Sequence, residues 1–159
     1  MATVELDVHL ERGTSKDIDR VMSVMESAFG NRFGEAWTRS QLAGILPMGG
    51  VSLVLAREAE NEEAIGFSLF RTVAGEAELL LLAVMSTHHR RGVGRQLLGY
   101  FIERARNEGV VRVHLEVRDG NPAVEMYRTA GFSPVGRRRN YYHAPDGQRF
   151  DAITLSRQL

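Results

Sequence analysis

The 159-residue chain is 43% apolar and sets 20 Lys and Arg against 20 Asp and Glu, which fits one domain with a single core and zero formal charge. That balance excludes reliance on bulk attraction to nucleic acid or an anionic membrane, so any phosphate site must be local. The absence of cysteine excludes disulfides, thiolate metal sites and a Cys nucleophile, and accords with a reducing cytoplasm. The opening MATVELDVHLERG has neither a basic nor an apolar leader region, and the longest apolar run, Leu79 to Met85, is far shorter than the ~20 residues that span a bilayer. The expectation is a cytoplasmic protein without a membrane segment, in which residues 1–159 form one domain.

Hydrophobic periodicity orders the elements. Val4 to Leu10 alternates as a first strand. Thr14 or Ser15 can cap a helix whose apolar positions Ile18, Val21, Met22, Met25 and Phe29 keep 3/4 spacing, with Gly30 ending it. After Trp37, Thr38 to Leu46 reads as a short helix that Pro47, Gly49 and Gly50 break before the strand Val51 to Arg57. Glu58 to Glu63 is a charged turn, and the strands Ala64 to Val73 and Glu76 to Val84 meet at Ala74-Gly75, a hairpin-sized connection. Val93, Leu97, Leu98, Phe101, Ile102 and Ala105 then form a helical stripe ending at Gly109, and Val111, Val113, Leu115 and Val117 alternate as a strand. Asn121-Pro122 opens a helix that Gly131 ends, and strands near Phe132 to Arg138 and Phe150 to Leu155 close the chain. The fold class is α+β, a mostly antiparallel central sheet flanked by about four helices.

The segment HHRRGVGRQLL, residues 88–98, carries the clearest chemistry. Gly92 and Gly94 let backbone N–H groups approach an anion, the following helix start adds unsatisfied donors, and Arg90, Arg91 and Arg95 add charge. A tight turn on a solvated basic patch explains the same residues without a ligand. The segment lacks the third glycine of a dinucleotide fingerprint and the GK[ST] of a P-loop, which sets those nucleotide classes aside.

His89-Arg90-Arg91-Gly92-Val93-Gly94 resembles the acetyl-CoA pyrophosphate loop of the GCN5-related N-acetyltransferase (GNAT) family, with His where that pattern has Gln or Arg. LEVRDGNPAVEMYRTAGF at 115–132, RRNYY at 138–142 and FDA at 150–152 resemble the RimI-like branch, the alanine N-acetyltransferases of ribosomal proteins. Gly120 stands where that branch has Ser, and Phe150 where it has Glu. The resemblance implies a GNAT domain, acetyl-CoA as cosubstrate and transfer of acetyl to a protein N-terminal amine, with the ribosomal protein as partner.

It also implies roles, beside which simpler readings stand. Glu116 would be the general base, although by alternation alone it is equally a solvated strand residue beside Arg112, His114 and Arg118. Tyr127 would protonate the leaving thiolate, although helical spacing alone makes it a half-buried aromatic. Leu82, Ala83 and Val84 would offer backbone groups to the pantetheine arm and acetyl carbonyl beyond a bulge, and otherwise are buried sheet. Asn121 would contact the cofactor as well as cap its helix, while Val93 and its neighbours in the glycine turn would hold the pyrophosphate. Trp37, Glu35, Tyr141 and Tyr142 are candidates for the acceptor wall, and Glu35, Glu76 and Asp119 for a carboxylate facing a second-position Arg.

Arg137 to Arg139 beside two tyrosines is a short patch on a neutral chain, so a peptide wall is favoured over direct nucleic-acid binding. His9, His88, His89, His114 and His143 show no zinc spacing, and no metal is expected. Acetylation of small amines (polyamines or aminoglycosides) and a non-catalytic acetyl-CoA-binding module are the alternatives.

Overall fold

A computed structural model describes residues 7–159, and the period-two segments of that stretch form one seven-stranded sheet. The strands are β1 (Val8–Gly13), β2 (Val51–Glu58), β3 (Ala64–Val73), β4 (Glu76–Val84), β5 (Arg112–Arg118), β6 (Ser133–His143) and β7 (Arg149–Gln158). Their spatial order is β1-β2-β3-β4-β5-β7-β6, antiparallel at every seam except the parallel β4–β5 pair. The four α-helices of the described residues are α1 (Ile18–Phe29), α2 (Arg39–Ile45), α3 (Val93–Asn107) and α4 (Ala123–Thr129). Among the described residues no helix is long and apolar enough to cross a membrane.

Local signals explain most boundaries. Thr14 caps a 3-10 turn at Ser15–Asp17 that leads into α1, with Asp17 accepting from the Thr14 N–H at 2.8 Å. Thr38 caps α2 in the same reciprocal way through Gln41. Ala74 and Gly75, at φ 51° and 80°, form a two-residue turn with both positions left-handed, which suits the twist of the β3–β4 hairpin.

Of the expected first strand Val4 to Leu10, Val4 to Leu6 fall outside the described residues, and β1 runs beyond Leu10, its pairing continuing to Gly13 opposite Leu53. β1 is a sheet edge, so Arg12, in phase with Val8 and Leu10, stands exposed where alternation would want an apolar residue. β6 and β7 likewise run longer than expected. Between the pairs Arg138↔Ala152 and Tyr142↔Phe150, β6 inserts extra residues, with Asn140 at φ 54° and its N–H held by Asp151 Oδ1 at 2.9 Å. A wide bulge on an exposed edge leaves no periodic trace.

The expectation of a single core is corrected, because the sheet is covered on both faces and has two. On one face α3 packs Leu97, Leu98 and Phe101 against Phe70, Leu79, Val113 and Leu115. On the other α1 and α2 pack Val21, Val24, Met25 and Leu42 against Leu53, Leu55, Phe67 and Leu69. β4 changes allegiance midway. Its residues Ala77 and Leu79 face α3, whereas Leu81 and Ala83 face α1, because Leu80 is an extra residue between the pairs Phe70↔Leu79 and Leu69↔Leu81. One bulge therefore reverses the pleat of the strand that crosses the middle of the molecule.

Candidate active site

The bulge at Leu80 also ends the β4–β5 ladder, whose last pair is Leu79↔Leu115. Beyond it the strands part, and the cavity between them is lined by Leu80 to Leu82 on one side and by Glu116 and Val117 on the other. Backbone groups of β4 on its β5 side lack ladder partners over this stretch, which includes Leu82 to Val84. The Val84 carbonyl is the exception, since it accepts from His89 Nε2 at 2.8 Å. His89 thus uses its ring to fasten the turn to the strand, an interaction the sequence pattern did not disclose.

That turn places Arg90 at φ 61° and Gly92 at φ 83° before α3 begins at Val93. The first-turn N–H groups of the helix have no intrahelical acceptor and carry its positive dipole end. Arg90, Arg91 and Arg95 are exposed and, among the described residues, have no acidic partner within ion-pair distance. The two glycines serve different needs. A Cβ on Gly92 would meet nothing within 4 Å, so its requirement is the left-handed backbone, whereas a Cβ on Gly94 would sit 3.2 Å from Met126 Sδ and 3.7 Å from Leu82 and Val84. Gly94 lets α3 approach the strand and α4.

Glu116 projects from β5 into the cavity with its side chain 15% exposed. Its Oε1 pairs with Arg138 Nε at 2.8 Å, and its Oε2 is buried without a partner. Burial raises its pKa above the usual carboxylate value, against the Arg138 charge, with Glu78 raising it further and His114 opposing. Tyr127 reaches the same cavity from α4, 5% exposed and edge-on to Phe132 at 6.0 Å between ring centres. Burial first, and the Glu35 charge second, push its phenol pKa up, so the group keeps its proton at neutral pH.

The opposite mouth is built by the loop between α1 and α2 and by the β6–β7 hairpin. Trp37, Glu35, Tyr141 and Tyr142 all line the cavity there, with Asn121 beside them. Burial, with the neighbouring Glu35, also pushes up the Tyr142 phenol. Asn121 Oδ1 accepts from the Ala123 N–H at 2.9 Å, which caps the start of α4, while its Nδ2 donates to Glu35 Oε2 at 2.9 Å.

Glu35 is therefore not a free carboxylate. Its Oε1 lies 3.1 Å from Arg118 Nε, both side chains being 10% exposed, and the Arg118 guanidinium stacks 3.6 Å above the Phe33 ring. Phe150 supports Phe33 edge-on at 5.2 Å, which gives the Phe at that position a packing role. Arg118 thus differs from the solvated residue that alternation suggests. Glu76 pairs with Arg112 at 3.8 Å and Asp119 with Arg137 at 2.8 Å, and neither lines the cavity, so both are corrected as carriers of an acceptor carboxylate. Arg138 as the partner of Glu116, Arg118 as the partner of Glu35, and Glu78 within the cavity are the participants that sequence spacing missed.

The chain is 39% identical over 97 residues to the ribosomal protein bS18-alanine N-acetyltransferase of Haemophilus influenzae, a match covering 61% of this chain and 66%, just under two thirds, of that relative. It is 28% identical over 151 residues to the protein of the same name from Haemophilus ducreyi, covering 94% and 99% of the two chains. The crystal structure of the ribosomal-protein-S18-alanine N-acetyltransferase of Escherichia coli superposes with a TM-score of 0.84 at 27% identity, covering 95% of this chain and 93% of that one. The family model for the Acetyltransferase (GNAT) family matches residues 18–132, which include the Leu80 bulge, the glycine turn, Glu116 and Tyr127, and the chain belongs to that family.

Proposed function

We propose that the protein transfers the acetyl group of acetyl-CoA directly to the N-terminal α-amine of a protein, a ribosomal protein beginning with Ala. The observation that carries this reading is the pairing, in one cavity between parted strands, of a buried carboxylate with an unpartnered oxygen and a buried phenol. The curated relatives named for alanine N-acetylation of a ribosomal protein supply the acceptor class.

The residues present suit acetyl-CoA. The exposed Arg90, Arg91 and Arg95 with the open N-terminus of α3 fit a pyrophosphate, and the unladdered edge of β4 near Leu82 to Val84 fits an amide-bearing arm. When bound, acetyl-CoA supplies an acetyl group activated as a thioester. Glu116 accepts the proton that the acceptor amine must lose, its Oε2 being the oxygen without a partner. Backbone N–H groups of β4 beyond the bulge stabilise the charge that grows on the acetyl oxygen as nitrogen bonds to the carbonyl carbon. Tyr127 gives its phenolic proton to the sulfur as the carbon–sulfur bond breaks. The loop bearing Glu35 and Trp37 and the hairpin bearing Tyr141 and Tyr142 form the acceptor wall.

The test is mass spectrometry after incubation with acetyl-CoA and three acceptors: a peptide beginning Ala-Arg, an N-blocked peptide with an internal lysine, and spermidine. Acetylation is expected on the α-amine of the first. Faster modification of spermidine or lysine would replace this reading with the small-amine or lysine one, and no turnover on any would favour a binding module.

A further inference from the structure

Glu116 meets a cation from an unexpected quarter. The β5–β7 register sets Glu116 opposite Thr154, and the β6–β7 register sets Arg138 opposite Ala152, so the guanidinium crosses β7 diagonally to reach the carboxylate. It does so from the sheet edge, 62% exposed and 5.6 Å from the Tyr141 ring centre. One carboxylate oxygen of this cavity-lining residue is thereby held by a surface cation, while the other is buried and unpartnered.

We infer that Arg138 is a positioning residue that holds Glu116 ionised and turns its free oxygen toward the acceptor amine. The inference rests on the reading of Glu116 as the base. The other groups around this carboxylate are Glu78 from β4, His114 from β5, Tyr141 and Tyr142 from β6, Tyr127 from α4 and Glu35 from the loop between α1 and α2. Glu35 is engaged by Arg118, and His114 lies 3.8 Å from Glu78. Among the described residues Arg138 is the cation in direct contact with Glu116. Without it, burial and the Glu78 charge act on Glu116 with little opposition, and both favour the protonated acid, which cannot accept a proton. Because Arg138 is largely solvent-facing, dissolved salt can weaken its hold.

Two readouts on the whole protein test this. Carbon-13 labelling of glutamate carboxyl groups, with Glu116 assigned from Glu116→Gln, gives its titration midpoint directly. Arg138→Gln should raise that midpoint by about one pH unit, the low end of what an adjacent opposite charge does, since the pair is partly screened. Arg138→Lys should restore most of the shift, and 1 M salt should move the wild-type midpoint upward but not that of Arg138→Gln. The acid limb of kcat/KM on a peptide beginning Ala-Arg should move in step, with acetyl-CoA affinity unchanged. An unmoved midpoint in Arg138→Gln overturns the inference and leaves Glu116 free to be the base. A moved midpoint with an unmoved acid limb overturns the base assignment, and with it any bearing of Arg138 on turnover.

Discussion

Replacing Arg118 by Met keeps the bulk of the side chain and removes its charge, which leaves the Glu35 carboxylate buried without its cation and with Asn121 as its hydrogen-bond donor. Both members of the pair are 10% exposed, so the loss belongs with broken buried ion pairs and should be about 3–5 kcal/mol. The guanidinium's place above Phe33 contributes to the same loss and is not counted twice. For a chain of this size each kcal/mol moves Tm by roughly 2–4 °C, so a fall of about 6–20 °C is expected. Urea unfolding of Arg118→Met, Glu35→Gln and the double variant measures it, and the double variant should recover much of the loss, because no charge is then stranded. Since the pair ties the end of β5 to the loop carrying Trp37, the folded single variant should show a raised KM for peptide with acetyl-CoA affinity little changed. A loss below about 1 kcal/mol, or strict additivity in the double variant, would refute the clamp.

Tyr127→Phe keeps the packing against Phe132 and removes the proton donor, so kcat should fall at least tenfold, general acid catalysis being worth about 10²–10⁴, with the acetyl-CoA Kd from calorimetry unchanged. Glu116→Gln should stabilise the fold at neutral pH: a carboxyl whose folded pKa is raised favours folding below its unfolded pKa and loses that contribution as pH rises through the folded value. Thermal melts should therefore show the variant ahead of wild type at pH 7 and the gain shrinking toward pH 4. Gly94→Val should weaken acetyl-CoA binding by driving against Met126, and Met126→Ala should rescue part of it; no rescue would mean that the added side chain acts on the phosphate site itself.

Where periodicity is long the sequence was legible. The stripe from Val93 to Ala105 gave α3 its buried face, and Val113, Leu115 and Val117 placed Glu116 on the face away from that core. The Leu80 bulge was invisible for a local reason: in a run of four leucines, nothing marks which residue is the extra one. Alternation put Arg118 correctly on the face of Glu116 but could not tell that Phe33 and Glu35, more than eighty positions earlier, close over it. The Arg138–Glu116 contact escaped for the same reason, being set by two successive antiparallel registers across β7. The glycine turn stands out in the sequence as a candidate anion site, while the separate duties of Gly92 and Gly94 became visible only once Met126 lay beside the second.

The pH–rate profile of Glu116→Gln with a peptide beginning Ala-Arg tests the role of Glu116 as the base most directly. Glutamine keeps the shape but accepts no proton, so the neutral-pH rate should drop sharply and recover along a curve with its midpoint near the α-amine pKa of about 8, while an internal lysine, whose amine titrates near 10.4, stays unmodified over that range. A variant that matches wild type from pH 6 to 9 would remove Glu116 from the reaction and leave the cavity between β4 and β5 without a base.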